Sequence, residues 1–140
     1  MDSKSVNGLP LSSLLIVDGF NVLHAGVLIG RDRAGWWKEA AQRRLIERAE
    51  QFSNPEYAAM WIVFDRRPDT EERTPNLISA DSRILVKYAP SADDWIVAQV
   101  STFAGQQKIT VVTADRPLRE RVRRAGGTLC SPRQFLADCQ

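Results

Sequence analysis

The chain alternates short apolar runs with longer stretches in which apolar residues recur every three or four positions. Leu14-Leu15-Ile16-Val17 is continuous and stops at the turn signal Asp18-Gly19, which predicts a strand buried on both faces. Met60 to Phe64, ending at Asp65, predicts a second strand, and Ile84 to Tyr88 a third. Ile109 to Val112 predicts a fourth, ending in Thr113-Ala114-Asp115, and Thr128-Leu129-Cys130 a short last one. Between them lie helical patterns. Over 36–52 the stripe is Trp37, Ala41, Leu45, Ile46, Ala49 and Phe52, broken by Asn54-Pro55. Ser91-Ala92-Asp93-Asp94 opens a helix to about Phe103, with Gly105 as its stop. A helix to about Ala125 faces the core through Leu118 and Val122 and ends at Gly126-Gly127. The last helix runs from Ser131 to Cys139 with Pro132 in its first turn.

Strands without polar alternation, separated by amphipathic helices, predict a single α/β domain over residues 13–140. Its sheet is mostly parallel, of four or five strands, with helices on both faces. Residues 1–12, with Gly8 and Pro10, read as a flexible N-terminal arm. Residues 66–82, polar and containing Pro68 and Pro75, predict a long functional or mobile connection.

Composition narrows the function. The 140 residues are 44 % apolar and 26 % charged, as in an ordinary globular domain. No apolar run approaches the ~20 residues of a membrane span, so no membrane partner is expected. Leu11 to Val17 is too short for a convincing signal peptide. Cys130 and Cys139 are expected as free thiols of a cytoplasmic protein. His24 is the single histidine and has no nucleophile motif beside it, which argues against serine- and cysteine-protease chemistry. The net charge of +2 decides nothing about nucleic acid; its distribution must.

Ligands of parallel sheets bind beyond the carboxyl ends of the strands, and the acidic residues of interest fall there. Asp18, Asp65 and Asp115 each follow a strand, and Asp93 and Asp94 open the helix after the third strand. Aspartate also caps helices, and caps collect at that same edge with no catalysis involved. Capping explains Asp18 and Asp65 poorly, since no clear helix follows either in sequence. Carboxylates converging on one edge form a negative pocket that a hard divalent ion, Mg²⁺ or Mn²⁺, relieves. Such an ion supports attack of activated water on a phosphodiester without a histidine.

At these residues the sequence resembles the NYN-domain proteins, a branch of the PIN-like ribonucleases. Asp18-Gly19-Phe20-Asn21 is similar to the family's Asp-Gly-x-Asn opening, and Val63-Phe64-Asp65 to its second strand. Ser91-Ala92-Asp93-Asp94-Trp95-Ile96 resembles its Ala-Asp-x-x-Ile helix start, and Val111-Val112-Thr113-Ala114-Asp115 its Val-Val-(Thr/Ser)-x-Asp strand end. Gly126-Gly127-Thr128 through Ser131 and Phe135 resembles its closing segment. The bacterial YacP-like branch fits best, from about Leu14 to Cys139. The resemblance implies a PIN-like, Rossmann-like domain with metal-dependent endoribonuclease activity. It implies metal-ligating roles for Asp18, Asp93 and Asp115, with catalytic support from Asp94 and Asn21. Asn21 would fix a phosphate or a water, and Thr113 would hydrogen-bond near the site. Asp65 is a further supporting carboxylate, although it lacks the glycine that often follows it and stands beside Arg66 and Arg67. Arg116-Pro117 follows Asp115, where many relatives have another acidic residue. The cofactor implied is Mg²⁺ or Mn²⁺, with no organic cofactor.

Cations extend the picture. Arg116, Arg119 and Arg123 lie on one helical stripe away from Leu118 and Val122, and with Arg66 and Arg67 they are the expected RNA contacts. Trp36, Trp37 and Trp61 read as core residues. Trp95 is the tryptophan placed to stack on a base, with Phe20 a weaker candidate and His24 a surface residue near the site. An isologous dimer sharing an RNA groove is compatible with the sequence, which names no residues for it. Two other functions compete: a non-catalytic RNA-binding module, and a receiver-like phosphotransfer domain. The latter is disfavoured because no lysine follows Leu129.

Overall fold

Each apolar run becomes a strand of one sheet. The computed structural model describes residues 5–6, 9–10, 13–66 and 77–140. Within the stretch read as an arm, β1 (Ser5–Val6) pairs antiparallel with β2 (Leu9–Pro10). The main sheet contains β3 (Ser13–Asp18), β4 (Ala59–Asp65), β5 (Ile84–Ala89), β6 (Lys108–Val112) and β7 (Thr128–Cys130). All its pairings are parallel, in the order β5-β4-β3-β6-β7.

This order has a functional consequence. From β3 the chain steps outward to β4 and β5, then returns to the other side for β6 and β7. The switch point therefore lies between β3 and β6, where a crevice opens beyond the strand ends. The order also excludes the receiver-like alternative, whose sheet runs 2-1-3-4-5.

Strand periodicity divides the core. Leu15 and Val17 point to one face with Ile62, Phe64 and Val112. That face is covered by α2 (Glu39–Ala49) and α5 (Pro132–Ala137) through Leu45, Ile46, Phe135 and Leu136. Leu14 and Ile16 point to the other with Val63, Ile109 and Val111. There α3 (Ala92–Phe103) and α4 (Arg116–Ala125) pack through Ile96, Val100, Leu118 and Val122. Central strands covered on both sides need no polar alternation, which explains the continuous runs.

The structure differs from the sequence pattern between residues 19 and 38. A helix begins directly after β3: α1 (Gly19–Val22) continues into a π-turn over Leu23–Val27. Its buried residues Val22 and Leu23 are followed five positions on by Val27 and Leu28, the span of a π-turn hydrogen bond such as Leu28 N–H to the Leu23 carbonyl, and so escape a search for α-helical spacing. A 3₁₀ segment, Gly30–Gly35, follows, and α2 starts only at Glu39 because Trp36 and Trp37 join an aromatic cluster instead. Gly19 belongs to this turn for a steric reason. A Cβ there would stand 2.5 Å from the Phe64 ring and 2.9 Å from the Val63 carbonyl oxygen.

Most of the long connection over 66–82, including Arg67, lies outside the described residues.

Candidate functional site

Five of the sequence-predicted residues come together at the switch point. A cleft of about 330 Å³ is lined by Asp18, Asp65, Asp93 and Asp115, with Asn21 beside them. Its other wall is aromatic, built from Phe20, His24 and Trp36.

Asp18 ends β3 and occupies the N-cap position of α1, yet its side chain makes no cap hydrogen bond. Instead the hydroxyl of buried Thr113 donates to its Oδ2 at 2.8 Å. Asp18 is only 8 % exposed. Burial pushes its carboxyl from the ordinary 3.8 up to about 7; the Thr113 bond opposes this, and the Asp93, Asp115 and Asp65 charges add to it. Asp93, in the first turn of α3, is also raised, by burial first and then by Asp115 and Asp65, with Arg121 opposing.

The other two carboxylates carry structural duties. Asp65 accepts the Ala92 N–H at 2.7 Å, so it caps α3 from the neighbouring strand. Asp115 caps α4 by accepting the Leu118 N–H at 3.2 Å. The capping explanation therefore fails for Asp18 and succeeds for Asp65, through a partner 27 residues away that no local pattern shows.

Thr113 ties the site together. Its hydroxyl accepts the Asp115 N–H at 3.1 Å, and its carbonyl accepts from Arg119 at 2.8 Å. Asn21 fastens α1 across the switch point, its side-chain oxygen accepting the Ala114 N–H at 2.9 Å. That leaves its amide NH₂ as a donor at the cleft. Replacing Thr113 with Val keeps the shape but strips Asp18 of its donor and the Asp115 N–H of its acceptor. Urea unfolding of Thr113→Val is expected to show a loss of about 1–3 kcal/mol, with Thr113→Ser close to wild type.

Several expected contacts lie elsewhere. Asp94 faces away from the cleft and pairs with Arg121 at 2.9 Å. Arg119 is half-buried on the Thr113 carbonyl, while Arg123 and Arg124 share Glu120 at 3.8 and 3.3 Å. Arg66 and Arg116 remain exposed. Trp95 packs on Trp61, ring centres 5.6 Å apart, on the face away from the aromatic wall. Trp36, read as core, instead lines the cleft edge-on to Phe20 at 4.8 Å, with His24 at 5.2 Å. The adjacency of Phe20 to Asp18-Gly19 is the one sequence signal for this wall.

The donor set suits a hard divalent ion. The cleft offers carboxylate oxygens with no thiolate, and its buried carboxyl is raised in pKa by burial first and by the neighbouring carboxylates after it. Among the described residues no three His, Cys, Asp or Glu side chains gather tightly enough to hold an ion unaided. An ion held here would need water to complete its shell, which suits Mg²⁺.

A five-stranded all-parallel sheet flanked by helices, with an acidic crevice at its switch point, defines a single Rossmann-like α/β domain. Residues 15–140 match the YacP-like NYN domain, and the chain belongs to that family. Among solved structures it is similar to a mutant of Rae1 (YacP) from Bacillus subtilis, with TM-score 0.68 and 23 % identity over 91 % of this chain and 74 % of that one. It is likewise similar to Rae1 (YacP) itself, with TM-score 0.61 and 21 % identity over 90 % of this chain and 72 % of that one. No curated protein matches the chain. No helix among the described residues is long and apolar enough to cross a membrane.

Proposed function

We propose that the protein is a divalent-metal-dependent endoribonuclease acting at this cleft. The observation that carries the reading is Asp18: a buried carboxyl with no cap to form, held by Thr113 and faced by three other carboxylates. A fold gains no stability from such an arrangement unless a cation enters it.

Asp18, Asp93 and Asp115 would hold Mg²⁺ or Mn²⁺, with Asp65 in support. When bound, such an ion lowers the pKa of a water molecule and neutralises charge building on the phosphate. The chain's own residues supply the rest. Thr113 orients Asp18 by its hydroxyl bond. The Asn21 NH₂ donates to a phosphate oxygen, while its own oxygen stays anchored on Ala114. Asp65 and Asp115 fix the starts of α3 and α4 and so hold Asp93 at the crevice. The wall of Phe20 and Trp36 offers an apolar surface to the adjoining base and sugar.

The test is incubation with end-labelled single-stranded and structured RNAs in Mn²⁺, Mg²⁺ or EDTA. Internal cutting with either ion and none in EDTA is the expected result. A second reading, an RNA-binding module without catalysis, draws on the capping roles of Asp65 and Asp115. RNA binding with no cleavage in any ion would establish it.

A further inference from the structure

We propose that the strand of RNA leaving the cleft runs over Trp36 into a basic groove between the Gly30–Gly35 segment and α2, where Arg31 and Lys38 hold its phosphates. The inference rests on the nuclease reading and gives that site its substrate track.

The phosphate contacts expected on α4 are largely used within the protein. Arg119 holds a backbone carbonyl, Arg121 pairs with Asp94, and Arg123 and Arg124 share Glu120. Four carboxylates at the cleft repel a polyanion, so neighbouring phosphates require cations from somewhere else. The groove supplies them. It measures about 440 Å³ and is lined by Arg31, Lys38 and Arg44 together with Leu28 and Gly35. Glu39, the acidic residue next to Lys38, is drawn to Arg43 at 3.3 Å. Arg31 and Lys38 form no ion pair among the described residues. Arg44 donates to the Val27 carbonyl oxygen at 3.3 Å, which fixes its guanidinium against the π-turn.

The groove and the cleft meet at neighbouring residues of the chain. Gly35 lines one and Trp36 the other, and consecutive Cα atoms stand only about 3.8 Å apart. Trp36 forms the saddle between them, braced edge-on by Phe20 at 4.8 Å and Trp37 at 5.7 Å. An aromatic face followed by cations is the arrangement that accepts a single strand, base on ring and phosphates on charge. Contacts of this kind position RNA without reading its sequence.

The test compares wild type with Arg31→Gln/Lys38→Gln and, as a control surface, Arg121→Gln/Arg124→Gln. Binding of labelled 12-nucleotide and 4-nucleotide single-stranded RNAs is followed by anisotropy in EDTA across a salt series. Cleavage of both is measured in Mn²⁺, and circular dichroism and melting verify folding. For the groove variant we expect at least tenfold weaker binding of the 12-mer. Its slope of log affinity on log salt should be shallower by about 1.4, or ~0.7 for each lost contact. The 4-mer should be cut at the wild-type rate, and the control variant should bind like wild type. An unchanged slope in the groove variant, or a larger loss in the control, overturns the proposal. If wild type never cuts but the groove variant alone loses affinity and slope, the track stands and the nuclease reading falls.

Discussion

Asp93→Asn is expected to lower metal-dependent RNA cleavage by at least ~10²–10³-fold, the loss typical when one preorganised electrostatic group is removed from a reacting centre. The substitution exchanges a carboxylate for an amide of the same shape. It removes a charge that burial and the Asp115 and Asp65 carboxylates already disfavour, so folding should not suffer. The neighbouring Asp94→Asn is the informative contrast. Asp94 is 70 % exposed and pairs with Arg121, and an exposed pair of this kind is worth about 0–1 kcal/mol. Its cleavage rate should stay within about fivefold of wild type. Side-by-side rates in Mn²⁺ decide the matter. Equal losses in the two variants would mean that the cleft as described is not the site of chemistry. A wild-type rate in Asp93→Asn would remove the metal from this edge altogether.

Asp18→Asn should make the metal-free protein more stable at pH 8, an unusual outcome for a change at a buried polar residue. In the folded state the Asp18 carboxyl keeps its proton up to about pH 7, whereas an unfolded chain releases it near 3.8. Between those values the native state binds more protons than the unfolded state, so stability falls as pH rises. At 1.36 kcal/mol per pH unit the whole interval corresponds to at most about 4 kcal/mol. The amide carries no charge, and its oxygen still accepts from the Thr113 hydroxyl. In EDTA, the advantage of Asp18→Asn should be small at pH 4 and grow to a plateau above pH 7. Mn²⁺ should stabilise wild type above pH 7 and do much less for Asp18→Asn. Denaturant unfolding from pH 4 to 8, with and without Mn²⁺, measures both. Parallel pH profiles for the two proteins would show that the Asp18 carboxyl is not under the stress its surroundings indicate.

These two residues also show how far local pattern reaches. Asp18 is correctly singled out as a carboxylate that does not cap, but the reason from sequence is mistaken. A helix does follow it at once, and its side chain is drawn away from that helix by Thr113, which is 95 residues distant. Asp65 lacks a following helix and so looks available, yet it caps α3 across the sheet. Spacing along the chain cannot show either pairing, because both are made by the register of parallel neighbours. Trp36 and Trp95 exchange their expected places for the same reason. The tryptophan next to the carboxylates in sequence packs on Trp61, while one from an aperiodic turn reaches the cleft.

The sequence by itself determined the five strands, the amphipathic helices of the second half and the gathering of aspartates at one sheet edge. All of these follow from continuous apolar runs, from the 3.6 period of the helices and from the direction of parallel strands. Tertiary structure alone decided the strand order β5-β4-β3-β6-β7, and with it the crevice between β3 and β6. It also decided which aspartates cap and which face the cleft, and which arginines are tied up in pairs. Charge and shape act through space, at distances of about 3 Å between groups tens of residues apart, and only the folded chain brings those groups within that range.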